Sequence, residues 1–364
     1  MTTLPDPADV TVLTGGGGWF GRAFLDAVAR PRPEHGPVAR DGEVRVLAAT
    51  PAEVPDILAV LPRAVVHVGD VADRDVLARL LRGATGASVI HAAGVIHPAR
   101  VADFERVNVG GTRALVDAAA AAGVRRVVHV SSNSAFGVNP TPSDRFRQHE
   151  PYRPYLGYGH SKMRAEQLVL EASATGLVET AVVRPPWFYG PFQPARQSTF
   201  FTMVAAGRFP VLGDGRQARS MAYVDNLVQG VALAERHPDA VGQAFWVADR
   251  EPYAMADVVA TVARVLDEEG YRTSGRRLRA PAVVGRVAER VDRVLQGRDV
   301  YHQQIHVLGE MDKTIACDVS ATVETLGYDP QVDLAEGMRR SVRWCAANGV
   351  PIAPRKDGTR KDSR

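Results

Sequence analysis

The stretch TVLTGGGGWFGRAF, residues 11–24, contains four consecutive glycines and a fifth glycine three residues later. Glycine in regular structure costs about 0.5–1 kcal/mol relative to alanine, so such a run marks a place where the backbone must be bare. The run follows a predicted strand and opens a predicted helix at 18–30. The spacing Gly15-x-x-Gly18-x-x-Gly21 is typical of a strand–turn–helix unit whose backbone N–H groups approach a pyrophosphate. A tight turn without a ligand is the alternative.

Short apolar runs alternate with amphipathic helical stretches through the first half of the chain. This alternation predicts an α/β fold with a doubly wound parallel sheet, followed by a smaller C-terminal α/β substrate-binding region. The predicted strands are 10–14, 43–49, 64–70, 87–94, 125–132 and 242–249, and the predicted helices are 18–30, 73–83, 108–124, 253–270 and 280–297. From about residue 186 a proline- and aromatic-rich stretch is predicted to be a binding loop.

The predicted domains are 1–185 for the first domain and 186–350 for the second region, with segments such as 220–250 returning to the first. Residues 31–42, PRPEHGPVARDG, are predicted to be a surface insertion. Residues 351–364 are predicted to be a disordered basic tail. The helix predicted at 280–297 has basic and apolar faces that fit a membrane surface. The solvated outer face of a packed helix is the favoured interpretation of that pattern.

The composition is that of an ordinary globular protein, with 364 residues, 45% hydrophobic residues and a formal net charge of +3. So small a charge does not indicate a nucleic-acid-binding protein. Cys317 and Cys345 form no CxxC motif, and we predict buried thiols in a reducing cytoplasm. No apolar run reaches the roughly 18 residues of a membrane span, and the N-terminus has no signal-peptide pattern.

The sequence YGHSK (158–162) places Tyr158 and Lys162 on one face of a predicted helix, since residues four apart are neighbours there. A free tyrosine, with a pKa of about 10, is a poor base at neutral pH. A nearby lysine cation favours the phenolate, as a proton-transfer residue requires. Taken alone, the pair is better explained as a helix-surface pair. It follows, however, a strand that ends in hydroxyls, VSSNSAFG (130–137), where a serine would bind the same substrate oxygen.

These motifs resemble the extended short-chain dehydrogenase/reductase family, and within it the NAD-dependent epimerase/dehydratase group, which includes nucleotide-sugar epimerases and 3β-hydroxysteroid dehydrogenases. The resemblance runs in the family's order over most of residues 10–250. The matching segments are TGGGGWFG (14–21), GDVAD (69–73), HAAG (91–94), NVGGT (108–112), SSNSAFG (131–137), YGHSK (158–162), VVRPPWFYGP (182–191) and SMAYVDNLVQGVALA (220–234). The resemblance implies a Rossmann-type sheet and makes 1–185 an NAD(P)-binding domain.

The resemblance also implies the site residues. Ser132, Tyr158 and Lys162 match the catalytic triad, with Tyr158 moving the hydroxyl proton and Lys162 binding the ribose. The implied cofactor-binding residues are Gly15, Gly18, Trp19, Phe20, Gly21, Asp70, Val71, Ala92, Ala93, Gly94, Asn108, Ser131, Tyr158, Lys162 and Pro185. The implied substrate-binding residues are Ser134, Trp187 and Arg219. No metal site is implied.

The second strand departs from the family pattern. NAD-binding members commonly end this strand with an Asp that binds the adenosine ribose, but Ala48, Ala49 and Thr50 stand there. Glu53 or an arginine from the insertion 31–42 is the alternative. The cofactor is predicted to be NAD, because epimerising relatives use it, and NADP is not excluded.

Two further departures concern the substrate. Asn133 and Ser134 replace the Asp-Glu pair of the family's dehydratases, which disfavours a 4,6-dehydratase. Trp187 replaces an asparagine expected to contact a diphosphate, whereas Arg219 matches an arginine that contacts the diphosphate in sugar-nucleotide epimerases. A solvated surface arginine is the alternative for Arg219.

The leading functional prediction is a nucleotide-sugar 4-epimerase or a related sugar oxidoreductase. The alternative is a 3β-hydroxysteroid-dehydrogenase-like enzyme for an apolar alcohol or ketone, favoured by the aromatic residues Trp187, Phe188 and Tyr189. A cofactor-sensing scaffold without activity is the third hypothesis. The predicted partner is a small-molecule substrate such as a nucleotide sugar, with no nucleic acid. The resemblance also implies a homodimer, formed by the helix after Asn108 and the helix that carries Tyr158.

Overall fold

The computed structural model describes residues 4–356. The strands are β1 (Val10–Thr14), β2 (Glu43–Ala48), β3 (Val65–Val68), β4 (Ser88–His91), β5 (Arg126–Val130), β6 (Glu179–Arg184), β7 (Trp187–Tyr189), β8 (Pro210–Leu212), β9 (Ala218–Arg219), β10 (Met221–Tyr223), β11 (Ala244–Trp246), β12 (Tyr253–Ala254) and β13 (Leu278–Ala280). The helices are α1 (Trp19–Ala29), α2 (Val54–Val60), α3 (Arg74–Leu80), α4 (Thr112–Ala121), α5 (Leu156–Ala174), α6 (Ala195–Ala205), α7 (Val224–Arg236), α8 (Met255–Glu268), α9 (Val283–Gln296), α10 (Gln303–Glu310), α11 (Ser320–Leu326) and α12 (Leu334–Ala347). A π-helix, Phe104–Gly111, directly precedes α4.

The central sheet has seven parallel strands in the order β11-β6-β5-β4-β1-β2-β3. The chain runs outward from β1 to β3 and then crosses back to place β4 on the other side of β1. Ligands of such sheets bind at the carboxyl ends of the strands, at the point where the order reverses. The predicted doubly wound parallel sheet is confirmed.

Helices cover both faces of this sheet, and each face has its own core. On one face α1, α2 and α7 bury residues such as Phe24, Leu25, Ile57, Leu227 and Val231. On the other face α3, α4 and α5 bury Leu77, Leu115, Ala119 and Val169. The strands are apolar on both sides, as expected for a sheet with two covered faces.

The C-terminal region has a separate core built by α6, α8 and α12. Its buried residues include Phe201, Val258, Val262, Met338 and Val342. Within this half of the chain α7 packs on the central sheet, and β11 pairs with β6 at its edge. The stretch from residue 186 is more regular than the predicted loop, because β7 pairs with β10 and α6 follows.

The insertion 31–42 is less superficial than predicted. His35, Val38 and Arg40 are buried. Arg40 donates two hydrogen bonds to the buried carboxylate of Glu235 on α7, at 2.9 and 3.2 Å. A partner nearly two hundred residues away carries no local sequence signal, so the composition of the segment alone suggested a solvated loop.

The first residues of the predicted disordered tail, 351–356, pack against the C-terminal region. Ile352 is buried in the C-terminal core, with Ala353 packed against it, and the Lys356 N–H donates to the Gly270 carbonyl oxygen at 2.9 Å. The remainder of the predicted tail, 357–364, lies outside the described residues.

Candidate active site

The glycine run forms the turn between β1 and α1. Gly15 has φ +76°, and a Cβ there would lie 2.9 Å from the Ala92 carbonyl oxygen. A Cβ at Gly21 would lie 2.2 Å from the Gly15 carbonyl oxygen, so α1 packs directly against the turn. Gly18 caps α1 without a side-chain hydrogen bond. The result is a bare backbone cradle at a helix N-terminus, which suits a phosphate group.

A carboxylate stands beside this turn at the carboxyl end of β2. Glu53 Oε2 accepts a hydrogen bond from the Ala49 N–H at 3.0 Å, and a Cβ at Gly17 would lie 2.3 Å from the same oxygen. The short 3₁₀ turn after β2 thus places a carboxylate near the end of a strand where Ala48, Ala49 and Thr50 provide none. Sequence reasoning offered Glu53 only as an alternative, because no motif fixes its position.

The segment after β4 forms one wall of the site. The Ala93 N–H donates to Thr14 Oγ1 at 3.2 Å, and the Ala92 N–H donates to the Thr14 carbonyl oxygen at the same distance. His91 bridges Thr14 and Thr112 with its two ring nitrogens, at 2.8 and 2.9 Å. Burial lowers the pKa of His91 to about 3, so a neutral ring fixes the wall to both β1 and α4.

Asn108 ties this wall to the helix of Tyr158. Its Nδ2 donates to the Val95 carbonyl oxygen at 3.0 Å and to Ser161 Oγ at 2.9 Å, and its Oδ1 accepts from the Val95 N–H at 2.8 Å. Ser161 Oγ donates in turn to the Tyr158 carbonyl oxygen at 2.8 Å. A Cβ at Gly94 would lie 3.1 Å from Asn108 Oδ1. The Asn108 side chain, which was predicted to bind the cofactor, therefore holds the segment after β4 and the turn of α5 that carries Tyr158.

Three serines, Ser131, Ser132 and Ser134, follow β5 in a turn that we call the serine turn. Ser132 Oγ accepts a hydrogen bond from the Ser134 N–H at 3.2 Å and lies 3.4 Å from Ser134 Oγ. The Ser131 N–H donates to the Val183 carbonyl oxygen at 2.7 Å. Ser131 Oγ is buried and has no hydrogen-bond partner among residues 4–356. A buried hydroxyl without a partner indicates that a ligand atom belongs at this place.

Helix α5 approaches this serine turn closely. A Cβ at Gly159 would lie 2.3 Å from the Ser134 carbonyl oxygen, and the same carbonyl accepts the Tyr155 N–H at 3.0 Å. Only glycine permits this approach. The turn of α5 that carries Tyr158 is thereby packed against the turn that carries Ser132.

Lys162 is buried on the next turn of α5. Its Nζ donates to the Val130 carbonyl oxygen at 2.8 Å, directly before the three serines. Burial lowers the pKa of Lys162 to about 8, and the negative charge of Glu166 opposes this shift. The buried Glu166 carboxylate is held by Arg184 and by the Tyr152 hydroxyl, which donates to it at 2.9 Å. Sequence reasoning missed Glu166, although its position four residues after Lys162 was a signal.

Asp70 and Val71 lie beyond the end of β3. Asp70 Oδ2 forms an ion pair with Arg106 at 2.5 Å, and its Oδ1 accepts the Ala72 N–H at 2.9 Å. Val71 is buried, and a Cβ at Gly111 would lie 2.6 Å from its side chain. Both residues therefore border the same end of the sheet as the glycine turn.

Trp19 and Phe20 use their side chains for packing. Trp19 Nε1 donates to the Pro191 carbonyl oxygen at 2.7 Å, and its ring centroid lies 4.6 Å from that of Phe188. Phe20 is buried in the core beneath α1. Because both side chains pack within the chain, only the backbone N–H groups of Trp19 and Phe20 are left to contact a cofactor. The Pro185 carbonyl oxygen accepts the Asn133 N–H at 3.2 Å.

Two predicted substrate residues lie in the C-terminal half. Trp187 Nε1 donates to Gln197 Oε1 at 3.3 Å, and its ring centroid lies 5.4 Å from that of Phe200. Arg219 is buried and donates to the Glu310 carbonyl oxygen. Burial lowers the pKa of Arg219, and none of the ion pairs formed within 4–356 includes it. The alternative of a solvated surface arginine is therefore wrong.

An aromatic wall, defined as Phe104, Tyr301, His97 and His306, borders Tyr158. The Phe104 ring centroid lies 5.7 Å from that of Tyr158 and 5.6 Å from that of Tyr301. The Tyr301 hydroxyl is hydrogen-bonded to His97 Nδ1 at 2.7 Å, and its ring centroid lies 5.4 Å from that of His306. Sequence reasoning missed this wall, because three separate segments of the chain supply it.

A doubly wound sheet with a glycine turn at its switch point, and with the helix of Tyr158 and Lys162 packed against the turn of Ser132, is the framework of a dinucleotide-dependent oxidoreductase of the short-chain type. The model of the NAD dependent epimerase/dehydratase family matches residues 11–248, and the chain belongs to this family.

Similar proteins match between 63% and 96% of this chain. Protein y4nL of Sinorhizobium fredii is 46% identical over 352 residues, 96% of this chain and 98% of its own. The 3 beta-hydroxysteroid dehydrogenase/Delta 5-->4-isomerase of Mycobacterium tuberculosis H37Rv is 34% identical over 246 residues, 63% of this chain and 64% of its own. The crystal structure of the dTDP-glucose 4,6-dehydratase DesIV from Streptomyces venezuelae, solved with NAD bound, has a TM-score of 0.72 at 25% identity and covers 93% of this chain and 97% of its own.

NAD is the cofactor of this enzyme family, and the described residues fit it. The turn at Gly15 and Gly21 is a cradle that a Cβ would fill. Ser131 presents a buried hydroxyl without a partner among residues 4–356, and Glu53 presents a carboxylate at the end of β2. Across the described part of the chain, every helix is too short or too polar to cross a bilayer.

Proposed function

We propose that this enzyme interconverts a secondary alcohol and a ketone carried on an apolar ring system, with NAD as the redox partner. The observation that carries the substrate class is the aromatic wall beside Tyr158, in which Tyr301 and His97 are half-buried and Phe104 is buried behind Tyr158 and Tyr301. Apolar and aromatic side chains with a few polar groups are the usual lining of a site for an apolar ligand.

In this proposal Tyr158 transfers the hydroxyl proton of the substrate. Ser132 donates a hydrogen bond to the same substrate oxygen. The buried Lys162 cation favours the phenolate of Tyr158 by charge proximity. NAD, when bound, supplies the hydride acceptor or donor at the substrate carbon, and the protein contributes orientation and polarisation.

We assign the cofactor contacts by part of the dinucleotide. The backbone of the glycine turn holds the pyrophosphate at the N-terminus of α1. Glu53 accepts a hydrogen bond from the adenosine ribose, and Asp70 contacts the adenine. Lys162 binds the nicotinamide ribose. Ser131 donates its hydroxyl to the bound cofactor.

Two observations support an apolar substrate over a nucleotide sugar. Trp187 stands where the family pattern has an asparagine for the diphosphate, and its indole N–H is engaged by Gln197. The M. tuberculosis relative, named a 3 beta-hydroxysteroid dehydrogenase, is 34% identical over 246 residues.

A nucleotide-sugar 4-epimerase is the second candidate function. Arg219 favours it, because a buried guanidinium whose hydrogen bond goes to a backbone carbonyl retains donors for a diphosphate. In this candidate the C4 hydroxyl is oxidised, the keto sugar rotates, and reduction occurs on its other face. A 4,6-dehydratase is not supported, since Asn133 and Ser134 provide no carboxylate for the elimination of water.

The remaining assignments are also proposals. We place the boundary between the NAD-binding domain and the substrate-binding region near residue 185. We propose a cytoplasmic homodimer that forms through α4 and α5. The alanines of α4 do not support this dimer by themselves, because Ala114 and Ala119 are buried within the chain.

The test is a panel assay with purified enzyme. Steroid and aryl ketones are given with NADH, and UDP- and dTDP-sugars with catalytic NAD, and both nicotinamide absorbance and product mass are followed. We expect stoichiometric loss of NADH absorbance with a ring ketone. Tyr301→Ala should raise KM for that ketone about tenfold or more, because the wall loses a ring. Leu177→Ala, at the opposite end of the sheet, is the control and should leave KM unchanged. Isomerisation of a sugar nucleotide without net redox change would replace this proposal with the second candidate.

A further inference from the structure

Helix α9 exposes a row of valines to solvent. Val283, Val287, Val291 and Val294 are 49%, 53%, 42% and 56% exposed. Residues three and four apart on a helix share one face, so these side chains form a continuous stripe. Four large aliphatic side chains in one row differ from the isolated apolar residues that occur on any protein surface.

The stripe is not needed for packing within the chain, because the opposite face of α9 makes the internal contacts. Asp292 Oδ2 lies 2.7 Å from His306 Nδ1 of α10, and Glu289 Oε2 lies 3.1 Å from Lys313 Nζ. A Cβ at Gly285 would lie 2.6 Å from the Asp312 carboxylate. The acidic residues of α9 thus lie away from the exposed valines, and Glu289 also pairs with Arg293 at 2.9 Å.

Arginines surround the stripe. Arg286, Arg290 and Arg293 are exposed on α9, and within the described part of the chain no ion pair engages Arg286 or Arg290. The segment 276–298 contains seven arginines, at 276, 277, 279, 286, 290, 293 and 298. With two acidic residues, Glu289 and Asp292, against its seven arginines, the segment carries a net charge of +5, whereas the whole chain carries +3.

We propose that the outer face of α9 docks on the surface of an anionic lipid bilayer. An apolar stripe bordered by basic residues is the pattern of a helix that lies in the plane of the interface. The valines enter the boundary between headgroups and acyl chains, and the arginines contact anionic headgroups. The helix lies on the membrane and does not span it.

Charge favours a membrane over a second copy of this chain. A symmetric contact would place the same arginines opposite one another, because both partners of a two-fold interface use the same patch. Like charges in contact oppose such a dimer. An anionic surface neutralises the arginines and covers the valines at once.

The position of α9 connects this surface to the candidate active site. Gln296 Oε1, in the last turn of α9, accepts the Gly157 N–H at 3.1 Å, one residue before Tyr158. A docked α9 therefore brings the helix that carries Tyr158 close to the bilayer surface. The docking inference stands on the exposed stripe and its arginines and does not depend on the proposed substrate class.

The test is flotation of the full-length protein with vesicles, without NAD or substrate. Vesicles of phosphatidylcholine and phosphatidylglycerol in equal parts are compared with vesicles of phosphatidylcholine alone. We expect at least about tenfold tighter binding to the anionic vesicles. Val287→Asp with Val291→Asp should abolish binding. Arg286→Gln with Arg290→Gln should weaken anionic binding by about tenfold or more.

Val323→Asp, on the exposed face of α11, is the matched control and should bind as the unchanged protein does. Circular dichroism verifies the fold of each variant. Equal binding to both vesicle types, no binding to either, or full binding by the double valine variant would overturn the proposal. An oligomer that dissociates only in the double valine variant would assign the stripe to protein contact and would also overturn it. Since no substrate is present, none of these outcomes depends on the proposed function.

Discussion

At the scale of single residues, Lys162 shows how a functional group opposes stability. Its ammonium group is buried beneath the site and has a pKa of about 8, lowered from 10.5 by burial. The unfolded chain binds this proton more tightly than the folded chain does. Burial of the charged ammonium group therefore lowers the free energy of unfolding at neutral pH. The cost is fully present below pH 8 and disappears as the pH rises from about 8 to 10.5.

Lys162→Met should therefore stabilise the protein at pH 7 while it removes activity. The shift corresponds to about 3 kcal/mol, and loss of the hydrogen bond to the Val130 carbonyl returns about 1 kcal/mol. We expect a net gain of about 1–2 kcal/mol in the free energy of unfolding at pH 7, measured by denaturant titration without NAD. The gain should vanish at pH 10. A variant that is less stable than the unchanged protein at pH 7 would contradict the assignment of Lys162 as a costly buried cation.

Glu53 is the residue that decides between the two nicotinamide cofactors in this account. Glu53→Gln should weaken NAD binding about tenfold, because a charged acceptor for the ribose hydroxyl is lost. NADP binding should stay equal or improve, since the carboxylate repels a 2′-phosphate. Calorimetry with each cofactor measures both effects.

Asp56→Asn is the matched control for Glu53→Gln, because Asp56 is a nearby carboxylate that pairs with Arg22. It should leave the affinity for both cofactors unchanged. If Glu53→Gln bound NAD as tightly as the unchanged protein, the ribose contact would have to come from another residue.

At the scale of elements, the α9–α10 pair depends on one histidine. His306 is surrounded by Asp292 at 2.7 Å, Glu310 at 4.0 Å and the rings of Tyr155 and Tyr301. Burial lowers its pKa, but the hydrogen bond to Asp292 and the charge of Glu310 outweigh burial and raise it overall. The charged ring therefore stabilises the pair below pH 6.5, and this contribution is lost as the pH rises through the raised pKa.

Hydrogen exchange of the α10 amides tests this linkage. After correction for the intrinsic exchange rate, protection should fall as the pH rises past the raised pKa. His306→Gln should remove the pH dependence. His302→Gln, at the N-terminus of α10, is the control and should retain it. Protection of α10 that does not change with pH in the unchanged protein would exclude His306 as the responsible group.

The sequence predicts the regular elements well where their pattern is local. The strands of the first half lie within the predicted ranges, because continuous apolar runs bounded by turns identify buried parallel strands. The π-helix before α4 was not predicted, since it accompanies contacts of Asn108 with distant Val95 and Ser161. The burial of the insertion 31–42 was underestimated because it also depends on a distant partner, since Glu235 on α7 holds Arg40.

At the scale of the whole molecule, the sheet order brings the glycine turn, the segment after β4 and the serine turn together at the carboxyl ends of the strands. These three parts were predicted from sequence, because each is a short motif at the end of a strand. The aromatic wall was not assigned, because its segments meet only in the folded chain. Glu53 and Glu166 carry local signals, four residues from Ala49 and Lys162, but no motif fixes their roles. The homodimer remains a prediction, since a single chain provides no test of it.

The central claim is proton transfer by Tyr158 during oxidoreduction of an apolar ketone. The most direct measurement compares the unchanged enzyme with Tyr158→Phe, using NADH and the best ketone of the panel, with NADH binding followed by fluorescence. We predict a loss of about 100- to 10,000-fold in kcat, with NADH affinity nearly unchanged, because the phenyl ring keeps its contact with Phe104. Turnover by Tyr158→Phe at the rate of the unchanged enzyme would contradict the account.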